Sequence, residues 1–369
     1  MVRQQNGPTR EQILDALREV CDPELRKSIV ELDMVRQVEV RDGQVTVDAV
    51  LTISGCPLRD AIVQSITERV KALPGVAGVT VNLGVMSADQ RQALIGRLRG
   101  GEMHPARRPA FLTAASATRV IAVASGKGGV GKSTVTANLA TAMALDGHTV
   151  GVIDADVYGF SIPRMLGVFG RPTAVDQMLI PIERDGIRVM SIGFLLPDEG
   201  EAVVWRGPLL HKALVTFITE VHWGDDLDYL FIDLPPGTGD VSLTIAQTLP
   251  QASMLIVTTP QPAAAAVAQR AAKMAEKVNM DVIGVVENMS GFTPPGGPTI
   301  DLFGRGGGLR LAEQLGVPLL GEIPLDIAVR EGSDAGEPVV RSRPDAPAAR
   351  ALREIARKVA DLVPVGAAP

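Results

Sequence analysis

The amino-acid sequence predicts an α/β protein with a mainly parallel sheet, preceded by a small α+β domain. Three observations carry that reading. From residue 119 onward, short apolar runs alternate with helical stretches, as repeated βαβ units do. Those runs are near-continuously apolar, so helices must cover both faces of the sheet. Residues 9–86 instead read helix, hairpin, helix and strand, a set that closes into a small layered domain.

In the first segment, EQILDALREV places Ile13, Leu14, Leu17 and Val20 at helical spacing. VRQVEVRDGQVTVDAVLTI reads as two strands joined at Asp42-Gly43, a two-residue hairpin signal. LRDAIVQSITERVKALPG is a second amphipathic helix closed by Pro74-Gly75, and VAGVTVNLGV is a last strand. Residues 87–117 change character, with Gly100-Gly101, prolines and clustered arginines, and read as a linker holding at most one short helix. The third segment, 118–363, carries strands at VIAVAS (120–125), TVGVIDAD (149–156), IRVMSIG (187–193), YLFIDLP (229–235), SMLIVTTP (253–260) and VIGVVENM (282–289). Ligands of such sheets sit at the carboxyl ends of the strands.

Apolar residues make up 46% of the chain and aromatic residues only 3%, so Val, Ile, Leu and Ala fill the core. With 36 basic against 42 acidic residues the net charge is −6, which argues against nucleic acid or anionic lipid as the main partner. No apolar run approaches the ~20 residues that span a bilayer. The opening MVRQQNGPTREQ lacks the apolar centre of a signal peptide, and two cysteines, Cys21 and Cys56, make no disulfide framework. A cytoplasmic protein is expected, with no nucleic-acid and no membrane partner.

VIAVAS runs directly into GKGGVGKST and then into VTANLATAMAL. Gly126, four residues, then Gly131-Lys132-Ser133 is a P-loop pattern in the strand–loop–helix setting it requires. The stretch Gly126, Lys127, Gly128, Gly129, Val130, Gly131, Lys132, Ser133 and Thr134 would wrap phosphate oxygens with backbone N–H groups at a helix N-terminus. Lys132 would neutralise the β- and γ-phosphates, and the Ser133 hydroxyl would ligate Mg²⁺. IDADVYGFSIP puts Asp154 and Asp156 at a strand end, and IDLPPGTGD puts Asp233 at another, where a Walker-B-like acid holds Mg²⁺. Gly237 and Gly239 free the loop after Asp233, and Asp240 reads as a helix cap. The chain is thus a P-loop NTPase by pattern, with ATP and Mg²⁺ expected.

The second loop lysine, Lys127, resembles the deviant P-loop of the MinD, ParA and nitrogenase-iron-protein group of dimeric ATPases. That resemblance implies a homodimer in which Lys127 reaches the partner's nucleotide; a solvent-facing lysine is the other reading. It also implies that Asp156 orients the attacking water, that Asp154 supports the Mg²⁺ shell, and that Asn288 hydrogen-bonds adenine. Pro324 in GEIPLD would wall the base pocket or simply punctuate a loop.

IDLPPGTGD, DADVYGFSIPRMLG, WRGPLL, VENMSGF with LFGRGGG, and the N-terminal DPEL, IVELDMV and LTISGCP together resemble the Mrp/ApbC branch. The resemblance implies an ATP-hydrolysing carrier that delivers iron–sulfur clusters to apoprotein clients. The sequence departs from the pattern at one place: where that branch carries Cys-x-x-Cys after NMS-x-F, this chain has Pro294 and Gly297. Neither can ligate iron, whereas clusters are held by thiolates. Cys56, in GCP before a helix, is left as an iron–sulfur ligand or a small buried apolar residue. Two further readings stay open: a nucleotide-switched scaffold for metalloprotein maturation that holds no cluster, and a ParA- or MinD-like positioning ATPase.

Overall fold

A computed structural model gives the fold and describes residues 7–23, 25, 27–52, 59–98, 116–157, 159–176, 178–196, 207–237 and 239–366. The chain divides into two compact units, one comprising Met1–Arg107 with Ala174–Ile180 and the other Arg108–Thr173 with Pro181–Pro369.

The smaller unit holds α1 (Arg10–Leu17), β1 (Val35–Arg41), β2 (Gln44–Leu51), α2 (Arg59–Lys71), β3 (Gly78–Val85) and α3 (Ala88–Leu98). Thr9 starts α1 with a capping box, its hydroxyl accepting from Gln12 N while the Gln12 side chain accepts from Thr9 N. The β1–β2 hairpin turns at Asp42-Gly43 with both residues at positive φ (50° and 78°), the geometry that matches strand twist. β3 then pairs parallel to β2 in a three-stranded sheet. α3 corrects the linker reading of 87–117 over its first third. Leu94, Ile95 and Leu98 are buried in one core with Ile13, Leu17 and Ile66, so this helix belongs to the small domain. Residues 99–115 lie outside the described residues.

The larger unit opens with β4 (Arg119–Ser125), α4 (Lys132–Leu145), β5 (Val150–Asp154) and α5 (Ile162–Met165). Two short strands, β6 (Thr173–Val175) and β7 (Met178–Ile180), form a separate ribbon. The chain continues through β8 (Ile182–Arg184), β9 (Ile187–Ser191), α6 (Gly207–Thr219), β10 (Tyr229–Asp233), α7 (Asp240–Thr248), β11 (Ser253–Thr258), α8 (Pro262–Lys277) and β12 (Val282–Phe292). It ends with α9 (Gly307–Leu315), β13 (Leu319–Leu325), α10 (Ile327–Ala335), α11 (Val339–Ser342) and α12 (Pro347–Leu362).

Eight strands form one sheet in the order β13-β12-β11-β4-β10-β5-β9-β8. Every pairing is parallel except β8 with β9. All six runs expected as strands are strands. Two edge strands, β8 and β13, were not foreseen. The central strands β5 and β10 are buried at every position, which explains their unbroken apolar sequence. Order in the sheet brings the ends of β4, β5 and β10 together, because β10 lies between the other two.

Candidate nucleotide-binding site

The loop between β4 and α4 needs glycine for two different physical reasons. Gly131 is the N-cap of α4 at φ 81°, in the left-handed region, and a Cβ there would stand 2.2 Å from Asn288 Nδ2. A Cβ on Gly126 would stand 2.2 Å from the backbone N of Ala268, so the first residue after β4 can pass α8 only without a side chain. The loop walls a cavity of about 280 Å³ lined by residues 127–134 together with Ser125, Asp156, Gly159, Ser161, Met165 and Pro236.

Lys132, only 6% exposed, lies 2.7 Å from Asp233 Oδ2 and 3.8 Å from Asp156 Oδ2. Ser133 donates its hydroxyl to Asp233 Oδ2 at 2.5 Å, and Thr136 donates to Asp233 Oδ1 at 2.9 Å. Asp233 is therefore the anchor of the site: wholly buried at the end of β10, it collects one lysine and two hydroxyls from the first turns of α4. Thr136 escaped the sequence reading, although it lies four residues after Lys132 and so on the same helix face.

Asp154 does not line the cavity. Fully buried, it accepts the amides of Asp156 (3.2 Å) and Ile162 (3.2 Å) and the Ser191 hydroxyl (3.3 Å). Burial pushes its carboxyl well above the usual carboxylate range and the neighbouring Asp233 pushes it further, while Lys132 and the two amides pull it back. Two carboxylates, Asp156 and Asp233, thus share one lysine, with Asp154 near enough to feel both Asp233 and Lys132, and a divalent cation would relieve the negative excess. Among the described residues no three His, Cys, Asp or Glu side chains converge as a metal-binding group. Mg²⁺ fits such a place, because it takes one or two protein oxygens and completes its shell with phosphate and water.

Lys127 donates to Gln261 Oε1 of the same chain at 2.7 Å. Gln261 is the N-cap of α8, and its side chain makes no cap hydrogen bond. Asn288 is buried and donates to Val130 O at 2.9 Å, bracing the loop from β12; it is not among the cavity-lining residues. Pro324 lies within edge strand β13, where a missing N–H is tolerated. Gly237 has φ 93° and its amide donates to Ser125 O, and the cap of α7 is Gly239, with Asp240 the first helical residue.

Pro294 and Gly297 face each other across a turn in which Gly297 N donates to Pro294 O at 3.0 Å. Cys21 is exposed, and Cys56 lies outside the described residues. No helix among the described residues is long and apolar enough to cross a membrane.

Comparison with known proteins fits both units. Residues 10–83 match the model of an iron–sulfur cluster assembly protein family. A protein of Mycobacterium tuberculosis named iron-sulfur cluster carrier protein is 49% identical over 358 residues, covering 95% of this chain and 93% of its own. A Synechocystis protein of the same name is 44% identical over 366 residues, covering 97% and 99%. Among solved structures, a nucleotide-binding protein from Archaeoglobus fulgidus in complex with ADP is 42% identical, with a TM-score of 0.52, covering 61% of this chain and 92% of its own. Residues 116–360 match the model described as NUBPL iron-transfer P-loop NTPase, and the chain belongs to that family.

Proposed function

We propose that this chain is an Mg²⁺-dependent ATPase that works as a homodimer and carries iron–sulfur clusters to apoprotein clients. The observation that carries the ATPase reading is the convergence of Lys132, Ser133, Asp233 and Asp156 on one cavity at a helix N-terminus. Backbone amides of residues 128–133 would hold the phosphate oxygens, and Lys132 would leave its internal carboxylates for the β- and γ-phosphates. Bound Mg²⁺, held by Ser133 and Asp233, would supply charge neutralisation on the transferring phosphoryl group. Asp156 would orient a water for in-line attack on the γ-phosphorus; the bond to the β,γ-bridging oxygen breaks, giving ADP and inorganic phosphate. Lys127 would complete the site of the second subunit.

The cluster is cargo, and its ligands are where this chain differs from the family pattern. The turn at Pro294–Gly297 offers no thiol, so a bridging site would draw on Cys56 of each subunit, or on four thiols if Cys21 joined. That same turn favours a second reading, a nucleotide-switched scaffold that holds no cluster. Purified chain supplied with Mg²⁺ and ATP should release phosphate, and release should stop when the metal is chelated. Release unaffected by chelation would refute the mechanism. Iron and sulfide counts after anaerobic reconstitution separate carrier from scaffold.

A further inference from the structure

The small unit is completed by a piece of chain that sequence order places inside the nucleotide unit. Ala174–Ile180 leaves that unit after Thr173 and returns at Pro181. Val175, Met178 and Ile180 are 1–4% exposed and sit in one core with Ile13, Leu17, Met86, Leu94 and Leu98. Asp176 locks the tip, its carboxylate accepting from Arg91 Nε at 3.0 Å and from Gln92 Nε2 at 3.1 Å, both on α3. Val175, Asp176, Met178 and Ile180, held this firmly, make the segment a structural member of the small unit.

The base of the same segment is fastened to the phosphate site. Arg184, on β8, donates to Gly167 O at 2.7 Å, so the outgoing chain after α5 and the returning strand are tied together. Closer to the nucleotide, Asp154 Oδ2 accepts Ile162 N at the start of α5 and the Ser191 hydroxyl at the end of β9. One carboxylate therefore grips both arms, 162 and 191, of an excursion whose tip is buried in the small unit. Asp154 Oδ1 in turn accepts the amide of Asp156, which shares Lys132 with Asp233. Phosphate entering the loop competes for that lysine, and the competition acts on Asp156 and on the segment that follows it.

We infer that residues 167–184 are a strap through which the small unit senses nucleotide at the P-loop. This rests on the nucleotide-binding reading, and the test separates the two. Backbone hydrogen exchange is measured on the full chain without nucleotide, with Mg²⁺ and ADP, and with Mg²⁺ and a slowly hydrolysed ATP analogue. The wild type should show protection of residues 126–134 and, with at least one nucleotide, a change of ~3-fold or more in exchange of α3, a difference that a shift between two packed states produces. Inserting Gly-Ser-Gly after Pro172 and after Pro181 slackens the strap and leaves its buried tip intact. This variant should keep the protection at 126–134 and lose the response of α3. Arg184→Ala, which opens the base of the strap, should weaken the α3 response in the same direction and is the measure to use should the insertion not fold. A protected P-loop with an unchanged α3 in the wild type overturns the strap and leaves the nucleotide site standing. So does an α3 response that survives both variants. An unprotected P-loop refutes the nucleotide reading and the strap with it.

Discussion

Lys127 and Gln261 are joined by a 2.7 Å hydrogen bond within one chain, from the loop lysine to the side chain that precedes α8. If Lys127 serves a partner subunit's phosphates, it must first leave Gln261. A neutral acceptor holds an ammonium group less firmly than a carboxylate does, the difference being on the order of 1–2 kcal/mol. Gln261→Glu should therefore raise the ATP concentration needed for dimerisation by roughly tenfold, and Gln261→Ala should lower it. Sedimentation velocity across an ATP titration measures both. Equal midpoints for the two variants would show that this contact does not restrain Lys127.

The pair Lys132 and Asp156 should separate binding from turnover. Lys132→Ala removes the charge nearest the phosphates and strands Asp233, buried at the end of β10. Nucleotide affinity should fall by at least ~100-fold, equivalent to the loss of about 3 kcal/mol of charge-assisted contact. Asp156→Ala leaves the loop and its lysine in place, so binding should stay within a few-fold of wild type while phosphate release drops by ~100-fold or more. Fluorescent-nucleotide binding and single-turnover hydrolysis, run on the same samples, give the comparison. Wild-type hydrolysis by Asp156→Ala would remove this residue from the role of orienting water.

Asp233 gathers Lys132, Ser133 and Thr136, so it should matter to folding as well as to chemistry. Removing one member of a buried ion pair costs roughly 3–5 kcal/mol, because its partner is left buried without a counter-charge. Asp233→Ala should lower the urea midpoint of the nucleotide unit even without ATP. A variant as stable as wild type would mean that Asp156 compensates Lys132 alone.

Much of this site was visible in the sequence because its parts obey short-range rules. Glycine spacing fixes the loop, and an unbroken apolar run ending in aspartate marks β5 and β10. The edge strands were harder to see. β13 carries Glu322 and Pro324 and is only half-buried, so it has neither the apolar run of a central strand nor a clean alternation. Gln261 is uncharged and its importance comes only from where Lys127 lies. The burial of Val175, Met178 and Ile180 was invisible for a different reason. TAVDQMLI is interrupted by two polar residues, and its apolar neighbours lie some eighty or more positions earlier in the chain.

Asp154 makes stability depend on pH in a defined direction. Its folded-state carboxyl titrates well above the ordinary value of 3.8, so the folded protein holds this proton more tightly than the unfolded chain. Below 3.8 both states are protonated and the group has no effect. As pH rises from there the unfolded chain gives up this proton while the buried carboxyl keeps it, so stability falls until the folded group ionises as well. Relative to Asp154→Ala, wild type should therefore lose ground as pH rises above 3.8 without nucleotide, in urea unfolding at each pH. Mg²⁺ with ADP should reduce that loss, because a cation beside Asp233 offsets the crowding that opposes ionisation. A pH-independent difference between the two proteins would contradict this assignment.

The turn at Pro294–Gly297 yields the most direct test of cargo handling. A Cβ built on Gly297 would stand 2.8 Å from Pro294 Cγ, so a cysteine at 297 alone meets the proline ring. Pro294→Cys removes that ring, and Gly297 is not held at positive φ, so Pro294→Cys/Gly297→Cys should be accepted without distorting the turn. The double variant supplies two thiolates per subunit and four per dimer, enough for a bridging cluster without help from Cys56. After anaerobic reconstitution it should hold more iron and sulfide than wild type and resist a chelator that strips the wild-type protein. In wild type, Cys56→Ser should abolish whatever iron is bound, and Cys21→Ser should leave it unchanged. In the double variant, Cys56→Ser should leave the new cluster in place. Equal iron in wild type and double variant would mean that the turn does not decide cluster retention. Iron retained by Cys56→Ser in the wild-type background would mean that this thiol is not a ligand.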